Sequence, residues 1–135
     1  MSSCVLDASA LLAYLHDEEG AGAVADAIAA GAFIGAANWA ETLSKLAEAG
    51  HAPAEIAAEL ESRGLLPGLV EVVPLTAEDA FAIAELRPRT RERGLSLGDR
   101  ACLALALRLS LPVLTADRHW VDLENVDVSV QPIRP

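Results

Sequence analysis

Asp7, Glu41, Asp99 and Asp117 are the residues whose type and placement in this chain point to chemistry. Asp7 follows the apolar run Cys4-Val5-Leu6, and Asp117 follows Pro112-Val113-Leu114-Thr115-Ala116. Glu41 lies near the start of the helical stretch Trp39-Ala40-Glu41-Thr42-Leu43, and Asp99 opens Asp99-Arg100-Ala101-Cys102-Leu103-Ala104-Leu105-Ala106. A carboxylate at the end of a core element needs a partner, because an unpaired buried charge is prohibitively expensive. The only basic residues close to these four in sequence are Lys45, Arg100 and Arg118. A divalent cation is the simplest partner able to hold several carboxylates together, so the pattern points to a metal enzyme.

The elements that must position these acids are legible as short apolar strands alternating with longer helical patterns, the signature of a parallel sheet covered on both faces. Ser3 to Leu6 reads as a first strand and Ala8 to Leu15 as a helix, with a second helix over Ala23 to Ala30 after Gly20 and Gly22. Phe33 to Gly35 reads as a short second strand. Asn38 then looks like an N-cap with Glu41 as its capping-box partner, opening a helix to about Ala49. Pro53 starts a helix over Ala54 to Arg63, Val70 to Pro74 is a third strand, and Thr76 with Asp79 caps a helix to about Leu86. Pro88 to Gly94 reads as a loop, Leu97 to Leu109 as the last long helix behind Ser96, Pro112 to Thr115 as a fourth strand and Val126 to Val130 as a weak fifth. The expected fold is a three-layer α/β/α arrangement around a central, mainly parallel sheet of four to five strands. In such sheets ligands bind beyond the carboxyl ends of the strands, near the point where strand order reverses. Asp7 and Asp117 stand at strand ends. Glu41 and Asp99 are expected in first helical turns facing the same edge, where the helix dipole favours negative charge.

The bulk properties narrow the classes. A chain of 135 residues suits one domain spanning 1–135, long enough to bury a core without disulfides or structural metal. Hydrophobic residues at 53% and charged residues at 22% exclude a disordered chain. A net charge of −10 argues against nonspecific coating of nucleic acid, though not against a local site where metal ions neutralise phosphate. Cys4 and Cys102 read as reduced core filler, and His16, His51 and His119 show no zinc-ligand spacing. With no basic n-region, with Asp7 interrupting the first apolar stretch, and with no uncharged apolar run of about 18 residues, the chain reads as soluble and intracellular, without a membrane span.

The segments Val5-Leu6-Asp7-Ala8-Ser9-Ala10-Leu11-Leu12-Ala13, Asn38-Trp39-Ala40-Glu41, Leu97-Gly98-Asp99-Arg100-Ala101-Cys102 and Leu114-Thr115-Ala116-Asp117-Arg118 together resemble the motifs of the PIN domain. More narrowly they are similar to the VapC ribonuclease toxins of bacterial toxin–antitoxin pairs. The resemblance spans nearly the whole chain in family order and spacing. It implies Mg²⁺- or Mn²⁺-dependent RNA cleavage, a cognate VapB-like antitoxin that occupies the site, and a homodimer; because RNA is read through single-stranded loops and backbone shape, structured transfer or ribosomal RNA is the expected substrate. It also implies that Asp7, Glu41, Asp99 and Asp117 form the acidic metal-binding and catalytic cluster. Ser9 and Thr115 match polar supporting positions, and Asp122 is a candidate for a second metal site. An all-oxygen donor set without His or Cys suits Mg²⁺.

Plainer readings compete for each residue. Asp7 and Asp117 suit strand-end turns, while Glu41 and Asp99 suit capping boxes; their coincidence at one expected edge favours the metal site. Asp79 is explained as a cap, and His119 as a surface histidine. The stretch Arg87-Pro88-Arg89-Thr90-Arg91-Glu92-Arg93 holds four of the nine arginines. It is either a solvated loop or a phosphate-tracking lip of Arg89, Arg91 and Arg93, extended by Arg100 and Arg118. Three other functions compete with the nuclease. An aspartyl-phosphate phosphotransferase usually wants an acid where Ser9 stands. A phospho-receiver needs a strand-end lysine, and the only lysine, Lys45, follows no strand. A catalytically silent module that binds only an antitoxin is disfavoured by the intact acids.

Overall fold

Three-residue β1, Cys4–Leu6, is buried at every position, which suits a strand covered on both faces. It leads directly into α1 (Ala8–Leu15), with Asp7 as the N-cap between them. The computed structural model describes residues 3–135. The elements that follow are α2 (Ala21–Ala30), β2 (Ala32–Gly35), α3 (Ala36–Glu48), α4 (Pro53–Ser62), β3 (Val70–Val73), α5 (Ala77–Arg89), α6 (Leu97–Leu109), β4 (Val113–Thr115) and β5 (Val130–Pro132).

The strands form one five-stranded sheet in the order β3-β2-β1-β4-β5, and every pairing is parallel. The chain builds outward from β1 to β3, then crosses back to place β4 on the other side of β1. The order therefore reverses between β1 and β4, and the crevice beyond their carboxyl ends is where such sheets bind ligands. Two apolar clusters cover the sheet. One joins β1 and β2 to α1 and α2 through Leu6, Leu11, Val24, Ile28 and Ile34. The other joins α5, α6 and β4 through Leu86, Leu103, Cys102 and Val113. Helix α3 packs against both α1 and α6, so it bridges the two faces, with Trp39 against one cluster and Ala37 against the other.

Several sequence expectations are corrected. Asn38 is not an N-cap: β2 runs straight into α3 through Gly35, and Asn38 is a buried residue inside the helix. Glu41 consequently lies in the second turn of α3, beyond reach of the helix-dipole argument. Helix α5 does not stop near Leu86 but continues through Pro88 to Arg89. Thr90 closes that last turn by directing both its N–H and its hydroxyl to the Leu86 carbonyl, and Arg91–Arg93 form a 3-10 turn. The last strand pairs Val130 with Val113 and Pro132 with Thr115, whereas Val126 is buried against the α5–α6 cluster. Pro132 is tolerated because β5 is an edge strand. The other expected elements agree to within two residues at each boundary. Among the described residues no helix is long and apolar enough to cross a membrane.

Candidate active site

Asp7 caps α1 from the end of β1, and its Oδ1 accepts the Ala10 N–H at 2.8 Å. The Thr115 hydroxyl donates to Oδ2 at 2.6 Å, and Ser9 Oγ lies 2.8 and 2.9 Å from the two carboxylate oxygens. The two hydroxyls also accept: Ala116 N–H donates to Ser9 Oγ at 2.9 Å, and Asp117 N–H to Thr115 Oγ1 at 2.9 Å. Ser9 and Thr115 thus stitch the carboxyl ends of β1 and β4 together around Asp7. Burial pushes the Asp7 carboxyl up from 3.8 to about 6. The hydrogen bonds from Thr115, Ala10 and Ser9 pull it down, and the nearby charge of Asp99 adds to the rise.

The other three acids arrive from separate elements. Asp99 sits in the first turn of α6 in a reciprocal capping box, its Oδ2 accepting the Ser96 N–H at 3.1 Å while Ser96 Oγ accepts the Asp99 N–H at 3.1 Å. Asp117 follows β4 and opens a 3-10 turn, with Oδ1 accepting the His119 N–H at 2.8 Å. Fully buried Trp120 anchors that turn in the α5–α6 cluster. Glu41 projects from α3. All four line one cavity of about 140 Å³ together with Ser9, Leu12 and Lys45. The charges of Asp7, Asp99 and Glu41 reach the core beneath: burial first, then these carboxylates, raise the Cys102 thiol well above its usual value. Cys102 stays a protonated core residue, and both cysteines are free and buried.

The donor set is carboxylate and hydroxyl oxygen with no His or Cys, which fits a hard divalent cation such as Mg²⁺ or Mn²⁺. Among the described residues, however, no three His, Cys, Asp or Glu side chains are gathered into a preformed metal-binding group. Like charges repel where no cation lies between them, and Asp7, Asp99 and Asp117 each direct a carboxylate oxygen to a backbone N–H of their own element.

Asp122, expected as a possible second-site ligand, does not line the cavity. It is an exposed residue at φ 65°, and its carbonyl accepts from Arg93. Of the expected RNA-facing arginines, Arg89, Arg91 and Arg118 are exposed and make no ion pair among the described residues. Arg93 instead donates to the Val121 carbonyl at 2.7 Å and the Asp122 carbonyl at 3.1 Å. Arg100 donates to the Ile83 carbonyl at 3.0 Å, and its buried Nε has no partner among the described residues. A larger cavity of about 390 Å³ lies at Arg89, Arg93, Glu92 and Glu124, but its charges are mixed and none of the four acids reaches it. Lys45 lines the cavity as well, a site residue that the sequence reading above leaves out. Its spacing four residues after Glu41 was the available signal, since such residues share a helix face.

The family model of the PIN domain matches residues 4–126. Among solved structures, the chain is similar to FitAcB from Neisseria gonorrhoeae, with a TM-score of 0.73 and 22% identity over 96% of this chain and 97% of that one. It is similar to DNA-bound VapBC from Salmonella typhimurium, with a TM-score of 0.71 and 17% identity over 98% and 99%. A toxin–antitoxin complex from Klebsiella pneumoniae matches with a TM-score of 0.66 and 20% identity over 92% and 95%. At these identities the likeness is one of fold. No curated protein sequence matches the chain.

Proposed function

The chain belongs to the PIN domain family, and from that premise we propose that it is a metal-dependent endoribonuclease, a toxin of the VapC type that cuts structured RNA and is restrained by a VapB-like antitoxin. The observation that carries this reading is the meeting of four carboxylates from four separate elements in one cavity at the sheet's switch point. Asp7, Glu41, Asp99 and Asp117 would hold Mg²⁺ or Mn²⁺, which supplies Lewis acidity toward phosphate and water. Ser9 and Thr115 orient the Asp7 carboxylate through their hydroxyls. Lys45, on the cavity wall, provides positive charge toward a phosphate that would otherwise meet only carboxylates. Exposed Arg89, Arg91 and Arg118 would steer the RNA backbone. A solved relative described as a toxin–antitoxin complex, and another described as DNA-bound VapBC, support an antitoxin partner; a homodimer is part of the same reading.

A second reading, a catalytically silent module that only binds an antitoxin, draws on the lack of a preformed ligand group among the described residues. Cleavage of pooled cellular RNA decides between them. Antitoxin-free protein with Mg²⁺ or Mn²⁺ is expected to yield discrete cuts that vanish with EDTA and with Asp99→Asn, a substitution that keeps the side chain's shape. No cuts by the folded, metal-loaded protein across several RNA pools would favour the silent module.

A further inference from the structure

Asn38 stands one helical turn before Glu41 on α3 and is 1% exposed. Its Nδ2 donates to the Gly98 carbonyl at 3.0 Å, while its buried Oδ1 has no partner among the described residues. A buried amide oxygen left unpaired is costly, so an apolar residue would serve packing at this position better. On the same face of α3, the Glu41 carboxylate lies against the bare α-carbon of Gly98. A Cβ there would come within 3.0 Å of Glu41 Oε1 and 3.8 Å of Asn38 Nδ2. Gly98 immediately precedes Asp99 in the first turn of α6. One glycine is therefore gripped at its carbonyl by Asn38 and overlaid at its α-carbon by Glu41. Glu41 makes no ion pair among the described residues that would fix it otherwise.

We infer that Asn38 and Gly98 form a latch between α3 and α6 that sets the Glu41 carboxylate against Asp99, making Asn38 a positioning residue for the carboxylate site. The inference rests on the cation-binding reading above. It concerns the placement of a ligand, so cation affinity rather than cleavage is its direct readout. Neither Asn38→Ala nor Gly98→Ala removes a carboxylate. The first frees the Gly98 carbonyl, and the second forces Glu41 aside by a few tenths of an ångström.

Titration of the full chain with Mn²⁺ by calorimetry tests the latch, beside thermal melts that report folding. Each single variant is expected to bind Mn²⁺ about tenfold more weakly, the usual size of an outer-shell effect. Val24→Ala, a core change on α2 remote from the site, should lower the melting temperature with Mn²⁺ affinity kept. In a Glu41→Gln background neither latch variant should weaken binding further, since both act through that carboxylate. Unchanged affinity in the folded latch variants would overturn the latch. So would an equal loss in Val24→Ala, or a further loss in the Glu41→Gln background. Should Asn38→Ala fail to fold, Gly98→Ala decides alone; should Glu41→Gln bind no Mn²⁺, the Val24→Ala comparison decides. Wild-type protein that binds no Mn²⁺, or binds it indifferently to Asp99→Asn, would overturn the metal reading and the latch together, an outcome separable from failure of the latch alone.

Discussion

Asp7 pits hydrogen bonding against burial, and burial wins. Its carboxylate accepts from Ala10, Ser9 and Thr115, yet its pKa stands near 6 against an ordinary 3.8. Between those two values the folded chain binds more protons than the unfolded one, so this group's contribution to stability falls as pH rises through the window. Above pH 6 the full penalty applies, at most about 3 kcal/mol at 1.36 kcal/mol per unit. Asp7→Asn keeps the shape and removes the charge. In EDTA at pH 7.5 it should be more stable than wild type by roughly 1–3 kcal/mol, with the difference shrinking toward pH 4. Urea unfolding of both proteins at the two pH values measures this. A variant less stable at pH 7.5 would show that the charged carboxylate is not the costly form. The same residue illustrates what sequence could supply. Asp at the end of an apolar strand announces a strand-end acid, and Ser9 and Thr115 were legible as its neighbours, but the hydroxyl stitching between β1 and β4 depends on parallel pairing that joins residues over a hundred positions apart.

At the scale of elements, periodicity and punctuation located the strands and helices, and the misreadings share a cause. Asn38 carries a cap-former's side chain, but its role was decided by α6 packing against α3, sixty residues away. Pro88 reads as a helix stop, yet Thr90 bonds back to Leu86 and carries α5 past it. Arg93, an arginine in a basic run, also has contacts with the chain after Asp117 that its local sequence does not show. Its guanidinium ties down the Val121 and Asp122 carbonyls, and hydrogen bonds from charged groups contribute about 1.5–3 kcal/mol. Arg93→Ala should therefore lower stability by about that amount and loosen the turn that carries Asp117. Arg89→Ala and Arg91→Ala, at exposed positions, should leave stability within about 0.5 kcal/mol. The exposed pair should instead weaken RNA binding and flatten its salt dependence, by roughly one unit of log–log slope for each phosphate no longer neutralised. Denaturation curves and fluorescence anisotropy at several salt concentrations separate the two roles; equal stability losses at all three positions would refute the division.

The whole molecule carries a net charge of −10 and concentrates four of its acids around one small cavity. Such a protein should meet a polyanion poorly on global electrostatics, so RNA association depends on local neutralisation at the site. The fold assembles the acids by bringing together the ends of β1 and β4, the α3 bridge and the start of α6, and Asp7, Asp99 and Asp117 each also accept a backbone N–H of their own element. A cation that binds only this folded arrangement stabilises it by mass action, about 2.7 kcal/mol at a hundredfold excess over Kd. Millimolar Mn²⁺ should accordingly raise the melting temperature by several degrees at pH 7.5, and EDTA should reverse the rise. Because binding requires the ionised Asp7 carboxylate, the shift should diminish as pH falls through about 6 and should be small in Asp7→Asn at every pH. Differential scanning fluorimetry across pH 5 to 8 in matched ionic strength, with Mg²⁺, Mn²⁺ and Na⁺, tests this. An equal response to Na⁺ at matched ionic strength would reduce the effect to general screening of a highly acidic chain, and a divalent-specific shift that Asp7→Asn retains would place the cation elsewhere on the molecule.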